Sequence, residues 1–353
     1  MDNNSSDSSQ LFFYAIVLQD IVLFRIIYFG AICKADILSI KVRKFMESTM
    51  IKITVVMPAY RENKQQISQA IESILNQSYQ EFCYIIILDD PDNTELEELI
   101  RSYAENDKRI TLYVNEKNMG CPWSKDRGIR LAQTEYVAIM DSDDVARTDR
   151  LEKELYTLEN NQLDLVGAYV SVVDEEGRRL YDMDNLPLTH DKIAKRMKVN
   201  NCVPHPTWFM RKEMYINLGG YTDMQGGEDY DFLLRAIDQG YKMGIADEIL
   251  LDYRLSTHSI SRNNLYKQYL MMKYLQDKYF YHKLSVLSYE EYEKEKYSEK
   301  KARSYASASV LFEHAIAAKA ERRYIKMFMF VLRTMLSSKE YAGKIMRYVI
   351  QEI

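Results

Sequence analysis

The stretch YVAIMDSDDV (Tyr136–Val145) runs from apolar, β-branched residues straight into Asp141, Asp143 and Asp144. The apolar half reads as a buried strand, and the acidic half repels itself unless a cation joins it. Carboxylates one or two residues apart at a strand end share a divalent ion, Mg2+ or Mn2+. Such an ion in turn grips phosphate oxygens. The plainer alternative is acidic capping of a helix starting at RTDRLEKEL. That alternative accounts for one acid and leaves two without a reason.

Other candidates sit in similar settings. Pro58, Tyr60 and Glu62 follow an apolar run, KITVVMPAY. An aromatic ring there stacks on a nucleobase, and a nearby acid takes a ribose hydroxyl. A strand-to-helix turn with an ordinary surface tyrosine is the bland reading. Asp89 and Asp90 close FCYIIILDD, where one of them has the chemistry to accept the N3–H of uracil or simply to start a turn before Pro91. In GGEDYDF, Glu228 and Asp229 stand at an expected helix start; Asp229 there is either a general base or an N-cap. Neither a Walker lysine loop nor G-x-G-x-x-G follows the first apolar run, so a bound nucleotide depends on metal and side chains.

These residues need elements to hold them. Lys52–Tyr60, Phe82–Asp90, ITLYVN and EYVAIMDSDD read as strands. KQQISQAIESILNQSY, TELEELIRSYAEN and SKDRGIRLAQT between them carry helical stripes. Thr94 with Glu97 matches a capping box. The order βαβαβαβ predicts a Rossmann-like α/β fold, a mostly parallel sheet with helices on both faces. Ligands of such sheets bind outside the carboxyl ends of the strands, which is where the acids fall. After Arg150, DLVGAYVSVVDEEGRRL predicts a hairpin turning at Glu176–Gly177. From about Arg262 the chain reads as helical.

The 353 residues, 47% hydrophobic and 28% charged, describe a globular protein with room for more than one domain. Cys33, Cys83, Cys121 and Cys202 are scattered without a CxxC pair, which argues against a cysteine zinc site or a disulfide framework. The net charge of −5 divides into about 0 over 1–50, about −13 over 51–261 and about +8 over 262–353. The acidic middle excludes nucleic acid as its partner. Leu11–Cys33 is long enough to span a bilayer but carries Asp20 and Arg25. It docks on the protein, lies in the membrane interface, or spans it. ERRYIKMFMFVLRTML (Glu321–Leu336) interleaves Arg322, Arg323, Lys326 and Arg333 with an apolar face, the pattern of a helix resting on anionic lipid or packed on its own protein. The expected division is an N-terminal helical segment over 1–50, a catalytic α/β domain over 51–261 and a basic helical region over 262–353.

VVMPAYRENKQQISQAIESILNQSYQEF, IIILDDPDN, NMGCPWSKDRGIRLAQTEYVAIMDSDD, GGY and GGEDYDFLLR stand in the order and approximate spacing of family 2 glycosyltransferases, and the chain from Ile51 to Ser261 resembles that family. The resemblance implies a GT-A fold and inverting transfer of a hexose or N-acetylhexosamine from a UDP-sugar, with Mn2+ or Mg2+. By motif, Pro58, Tyr60, Glu62, Asp89 and Asp90 hold the nucleoside. Asp141 and Asp143 form the D-x-D pair for donor and metal, and Lys125 lines the donor side. Asp229 resembles the catalytic base. Trp208, Gly219–Gly220–Tyr221 and Glu228 resemble the acceptor side. Arg254 and His258 resemble a segment that closes over the diphosphate, with His258 a further metal ligand. Pro91 and Asp126 depart from the residues the family often has there. The resemblance also suggests a glycan or polyprenyl-linked acceptor, bacterial capsule or surface-polysaccharide synthesis, and a cytoplasmic protein peripheral on the inner face of the plasma membrane. The rivals are a nucleotidyltransferase of similar fold, which would need a glycine-rich basic loop that PAYRENKQQ does not supply, and a non-catalytic glycan-binding protein.

Overall fold

The computed structural model describes residues 51–224, 226–255, 265–280 and 288–352. The expectations for Leu11–Cys33 and for His258 fall outside the described residues. Residues 52–353 form one compact unit.

The first half alternates as the sequence predicts: β1 (Ile53–Ala59), α1 (Lys64–Leu75), β2 (Phe82–Leu88), α2 (Thr94–Asn106), β3 (Ile110–Val114), α3 (Cys121–Leu131) and β4 (Tyr136–Ile139). β3, β2, β1 and β4 lie side by side and parallel. Every residue of β1 is buried because both faces of the sheet are covered, so the strand reads as a continuous apolar run. Val55 and Met57 pack on one side with Ile67 and Ile71. Val56 packs on the other with Ile129 and Trp208. A Cβ on Gly128 would come 2.4 Å from Val56 Cγ1, so glycine is what lets α3 lie this close to β1. Asn63 caps α1 by accepting from Gln66 N at 2.9 Å. The capping box expected at Thr94 is not formed. Asn93, one residue earlier, accepts from Leu96 N, and Glu97 pairs with Arg101 instead.

The second half is β5 (Val145–Ala146), α4 (Arg150–Asn160), β6 (Leu165–Val173), β7 (Arg179–Met183), α5 (His190–Met197), a 3-10 turn at His205–Thr207, β8 (Phe209–Arg211), α6 (Lys212–Asn217), α7 (Glu228–Asp238) and β9 (Met243–Arg254). The sheet order is β3-β2-β1-β4-β8-β6-β9-β5, with β7 on β6. β8 runs antiparallel to both neighbours, β4 and β6, so the parallel pattern holds over β1–β4 and becomes mixed beyond it. The β6–β7 hairpin turns where expected, with Asp174 accepting from Glu176 N and Arg178 N around Gly177 (φ +82°). Helices α8 (Leu265–Tyr279), α9 (Tyr289–Lys296), α10 (Glu299–Ala320), α11 (Tyr324–Ser337) and α12 (Lys339–Glu352) complete the described chain. Among the described residues no helix is long and apolar enough to cross a membrane.

Candidate active site

Backbone bonds carry the strand register past the strand ends. Asp89 N donates to Ala59 O, Asn115 N to Leu88 O and Met140 N to Val56 O, at 2.7–3.0 Å. Tyr60, Asp89, Asn115 and Asp141 therefore emerge at one edge.

At the nucleoside end, Pro58 is buried within β1 and pairs in register with Ile87. Tyr60 is half-buried, its N–H donating to Glu62 Oε2 at 2.8 Å, with the Arg61 guanidinium 4.7 Å over its ring. Arg61 Nε also donates to Asp90 Oδ2 at 2.8 Å. Asp89 is employed differently. Its oxygens accept from Asn115 Nδ2 (2.5 Å), Met119 N (2.8 Å) and Gly120 N (2.8 Å). Those three donors occupy most of its accepting capacity, so Asp89 shapes the turn into α3. Of the expected pair, Asp90 is the carboxylate left near the edge for a base.

The acidic stretch is short of positive charge. Burial, then Asp141 and Glu62, push the Asp143 carboxyl up to about 7. Asp144 is fully buried and raised well above the usual carboxylate range, by burial and then by Asp143 and Asp141. Its Oδ1 accepts from Arg254 N at 2.8 Å, while Oδ2 has no partner among the described residues. The stretch does not cap α4 directly, because β5 intervenes and pairs with β9. Lys125 Nζ, on α3 and 2% exposed, stands 2.5 Å from Asp141 Oδ1, and the Arg254 guanidinium lies against the backbone of Asp143. Burial alone would lower the Lys125 pKa; Asp141, with Cys121 and Glu228, reverses this and the net shift is upward.

Arg254 corrects an expectation. Rather than reaching toward a diphosphate, its guanidinium donates to Asp143 O (2.7 Å), Glu175 O (2.7 Å) and Gln69 Oε1 (3.0 Å). With its backbone N on Asp144 as well, Arg254 ties the acidic turn to the hairpin and to α1.

Asp229 stands in the first turn of α7, whose N-cap is Gly227. Asp229 Oδ2 accepts from Asn201 Nδ2 at 2.8 Å and Oδ1 from Tyr230 N at 2.6 Å. Burial raises its pKa, against the pull of these donors. Glu228 is raised too, by burial and then by Asp229, while its Oε2 accepts from Gly226 N and Gly227 N. Lys125 leads from the acidic turn toward this side: its Nζ lies 3.4 Å from His205 Nδ1, and His205 Nε2 lies 2.8 Å from Tyr221 OH. Burial, then Lys125, drives the His205 pKa well below its ordinary value, so the ring is neutral.

The expected acceptor wall is partly corrected. Trp208 is fully buried, packed on Phe232 and His205, with Nε1 donating to Val203 O. Its ring and its one donor are both used, so it backs the wall without facing an acceptor. Tyr221 and Gly220 are also buried; a Cβ on Gly220 would meet Asp126 Oδ1 at 2.5 Å. Glu228 is the half-buried member on that side. Asn201 and His205 went unselected in the sequence. Asn201 lies in an irregular stretch and His205 opens the short 3-10 turn that follows it, where no periodicity or motif spacing marks them.

Residues 54–219 match the family model described as Glycosyl transferase family 2. An uncharacterized glycosyltransferase of Methanocaldococcus jannaschii is 35% identical over 204 residues, 58% of this chain and 70% of that one. The O-antigen biosynthesis glycosyltransferase WbnJ of Escherichia coli is 31% identical over 212 residues, 60% of this chain and 82% of that one. The crystal structure of S. aureus TarS 1–349 in complex with UDP-GlcNAc superposes with a TM-score of 0.54 at 14% identity, covering 81% of this chain and 92% of that one. At that identity the likeness shows the fold alone.

Proposed function

Because the chain belongs to glycosyl transferase family 2, we propose that it moves a hexose or N-acetylhexosamine from a UDP-sugar to a hydroxyl of a glycan or polyprenyl-linked acceptor, with inversion, during synthesis of a surface polysaccharide such as a capsule. The observation that carries this reading is the acidic turn Asp141–Asp144, with Asp143 raised to about 7, in the same compact unit as a half-buried carboxylate of raised pKa, Asp229.

Asp229 takes the proton of the acceptor hydroxyl as that oxygen bonds to the anomeric carbon. The bond from that carbon to the diphosphate breaks, and UDP leaves. A single displacement of this kind inverts the centre. Burial makes Asp229 a stronger base than an exposed aspartate, and Asn201 holds one of its oxygens. Asp90 and Tyr60 receive the uracil, and Glu62 lies beside the ribose.

The residues fit a divalent ion. Among the described residues the buried Asp144 Oδ2 has no partner, and the Asp143 carboxyl is raised by burial and then by Asp141 and Glu62, an arrangement that a cation would relieve. Among the described residues no three His, Cys, Asp or Glu side chains meet as a complete ligand set; by motif, Asp141 and Asp143 would hold the ion, with His258, outside the described residues, a third candidate. Bound Mn2+ or Mg2+ supplies charge neutralisation for the departing diphosphate.

The tail supports peripheral membrane contact at the inner leaflet. Ile325 (83% exposed), Phe328 (65%) and Leu336 (80%) line one apolar face of α11. Arg322, Arg323, Lys326 and Arg333 are exposed on the same segment.

Screening UDP-Glc, UDP-Gal, UDP-GlcNAc and UDP-GalNAc for UDP release with Mn2+, and again with EDTA, tests the donor and metal assignments. One donor should give release that EDTA abolishes; release from none of them, or release indifferent to EDTA, removes those assignments.

A further inference from the structure

Helix α8 lies beyond the segment that resembles or matches the transferase family, yet it packs against the first turn of α7, the turn that carries Asp229. A Cβ on Gly227, the α7 N-cap, would stand 2.5 Å from Met271 Cγ, 3.3 Å from Met271 Sδ and 3.5 Å from Leu275 Cδ1. Tyr230 OH accepts from Gln276 Nε2 at 3.2 Å. Asp231, fully buried, accepts from Tyr279 OH at 2.9 Å through Oδ1, and from Thr222 Oγ1 and Arg235 Nε through Oδ2. Arg235 in turn donates to Leu218 O and Gly220 O, the glycine turn beside Tyr221. Gly227, Tyr230 and Asp231 form one face of α7 at helical spacing, and Met271, Leu275 and Tyr279 form one face of α8.

The same helix reaches the partner of the base. Gln276 Nε2 also donates to Val199 O at 2.9 Å, on the segment that leads to Asn201. Asp229 and the Asn201 amide that holds it thus share one backing element. Met271 is buried, and the Cγ at issue is the second carbon of its side chain, so a methyl group at position 227 cannot be absorbed by swinging a free end aside.

We infer that α8 is a positioning element of the transfer reaction: it sets the distance between Asp229 and the acceptor hydroxyl by fixing both α7 and the Val199–Asn201 segment. The inference rests on Asp229 being the base. Positional errors near 1 Å cost on the order of 10²-fold in rate, so a small push on the α7 cap should register in kcat while the donor site, on the other strand ends, is left alone.

The experiment uses the full chain with Mn2+, a donor that supports UDP release, and calorimetry with UDP. Gly227→Ala should lower kcat by about tenfold or more, with donor KM and UDP affinity unchanged. Gly227→Ala with Met271→Ala removes the clash and should return kcat to within about threefold of the parent. Tyr279→Phe keeps the ring but leaves Asp231 short of one donor, and should lower kcat with donor KM again unchanged. A double variant no faster than Gly227→Ala, or single variants that lose UDP affinity along with rate, would overturn the role of α8. Asp229→Asn, measured alongside, separates this from failure of the underlying reading: a fully active Asn variant removes the base itself, whereas an inactive one beside an unrescued double variant removes only the positioning role.

Discussion

At the end of β2, Asp89 accepts from Asn115, Met119 N and Gly120 N, three donors of its own chain. Just past β4, Asp143 faces Asp141 and Glu62, and its carboxyl is pushed up to about 7. Both are aspartates following apolar strands of the same sheet, at the same edge. The first region has its charge answered by donors of its own chain, and it holds a shape. The second has charge left over, and it stands ready for a cation or a proton. Asp229, with its raised pKa at the head of α7, belongs with the second.

Substitution at Asp229 should separate the two regions most widely. Asp229→Asn keeps the size and one of the two accepted bonds but removes the base, and should lower kcat by roughly 10²–10⁴-fold. UDP binding measured by calorimetry should persist, because the nucleoside edge is untouched. Loss of UDP binding together with turnover would place Asp229 with the shape-holding residues.

Next in size is a contrast between Asp143→Asn and Asp89→Asn. The first should weaken Mn2+-dependent UDP binding by roughly 10–100-fold. The second turns an acceptor into a donor facing three donors, and should cost about 1–3 kcal/mol of folding stability. The signs differ in the metal-free protein. Because the Asp143 pKa is raised on folding, the folded chain holds that proton more tightly than the unfolded chain does. Its stabilising contribution is complete below the unfolded value near 3.8 and is lost as pH rises through about 7. Asp143→Asn should therefore raise the metal-free melting temperature at pH 8 relative to the parent, and change it little near pH 4. Equal destabilisation by both Asn variants at pH 8 would erase the distinction between the regions.

The same titration predicts how metal-dependent UDP binding depends on pH. A proton on Asp143 competes with the ion, so affinity should fall by about tenfold per pH unit below about 7 and level off above it. A profile flat from pH 5 to pH 8 in the parent chain would mean that Asp143 is not what the ion binds.

Much of this edge is legible in the sequence because strand periodicity and strand ends are local properties. IIILDD and AIMDSDD announce buried strands closing in acids, and the alternation with helices places them together. What each acid does is set by partners far along the chain. Asn115 and Gly120 reach Asp89 only once β2 and β3 are paired, and Arg254 reaches Asp143 across more than a hundred residues. Trp208 looks like a wall residue by motif, and its burial depends on Phe232 packing over it. The antiparallel entry of β8 follows from the loop before it, which carries no periodic signal.

Arg254 gives the smallest expected effect and the sharpest line between shape and charge. As a staple it needs a planar fork, because its guanidinium reaches Asp143 O, Glu175 O and Gln69 Oε1 in three directions. Lysine keeps the charge but cannot span those acceptors. Arg254→Lys should therefore weaken metal-dependent UDP binding by about tenfold or less, toward the low end of what lost supporting contacts cost, and lower the melting temperature. Gln69→Ala removes one anchor of the same staple from α1 and should shift both quantities in the same direction by less. A group that acted on the diphosphate by charge alone would behave otherwise: the lysine variant would retain UDP affinity, and Gln69→Ala would leave it untouched. Matched shifts in the two variants would show that the acidic turn owes its geometry to a cation that never meets the substrate.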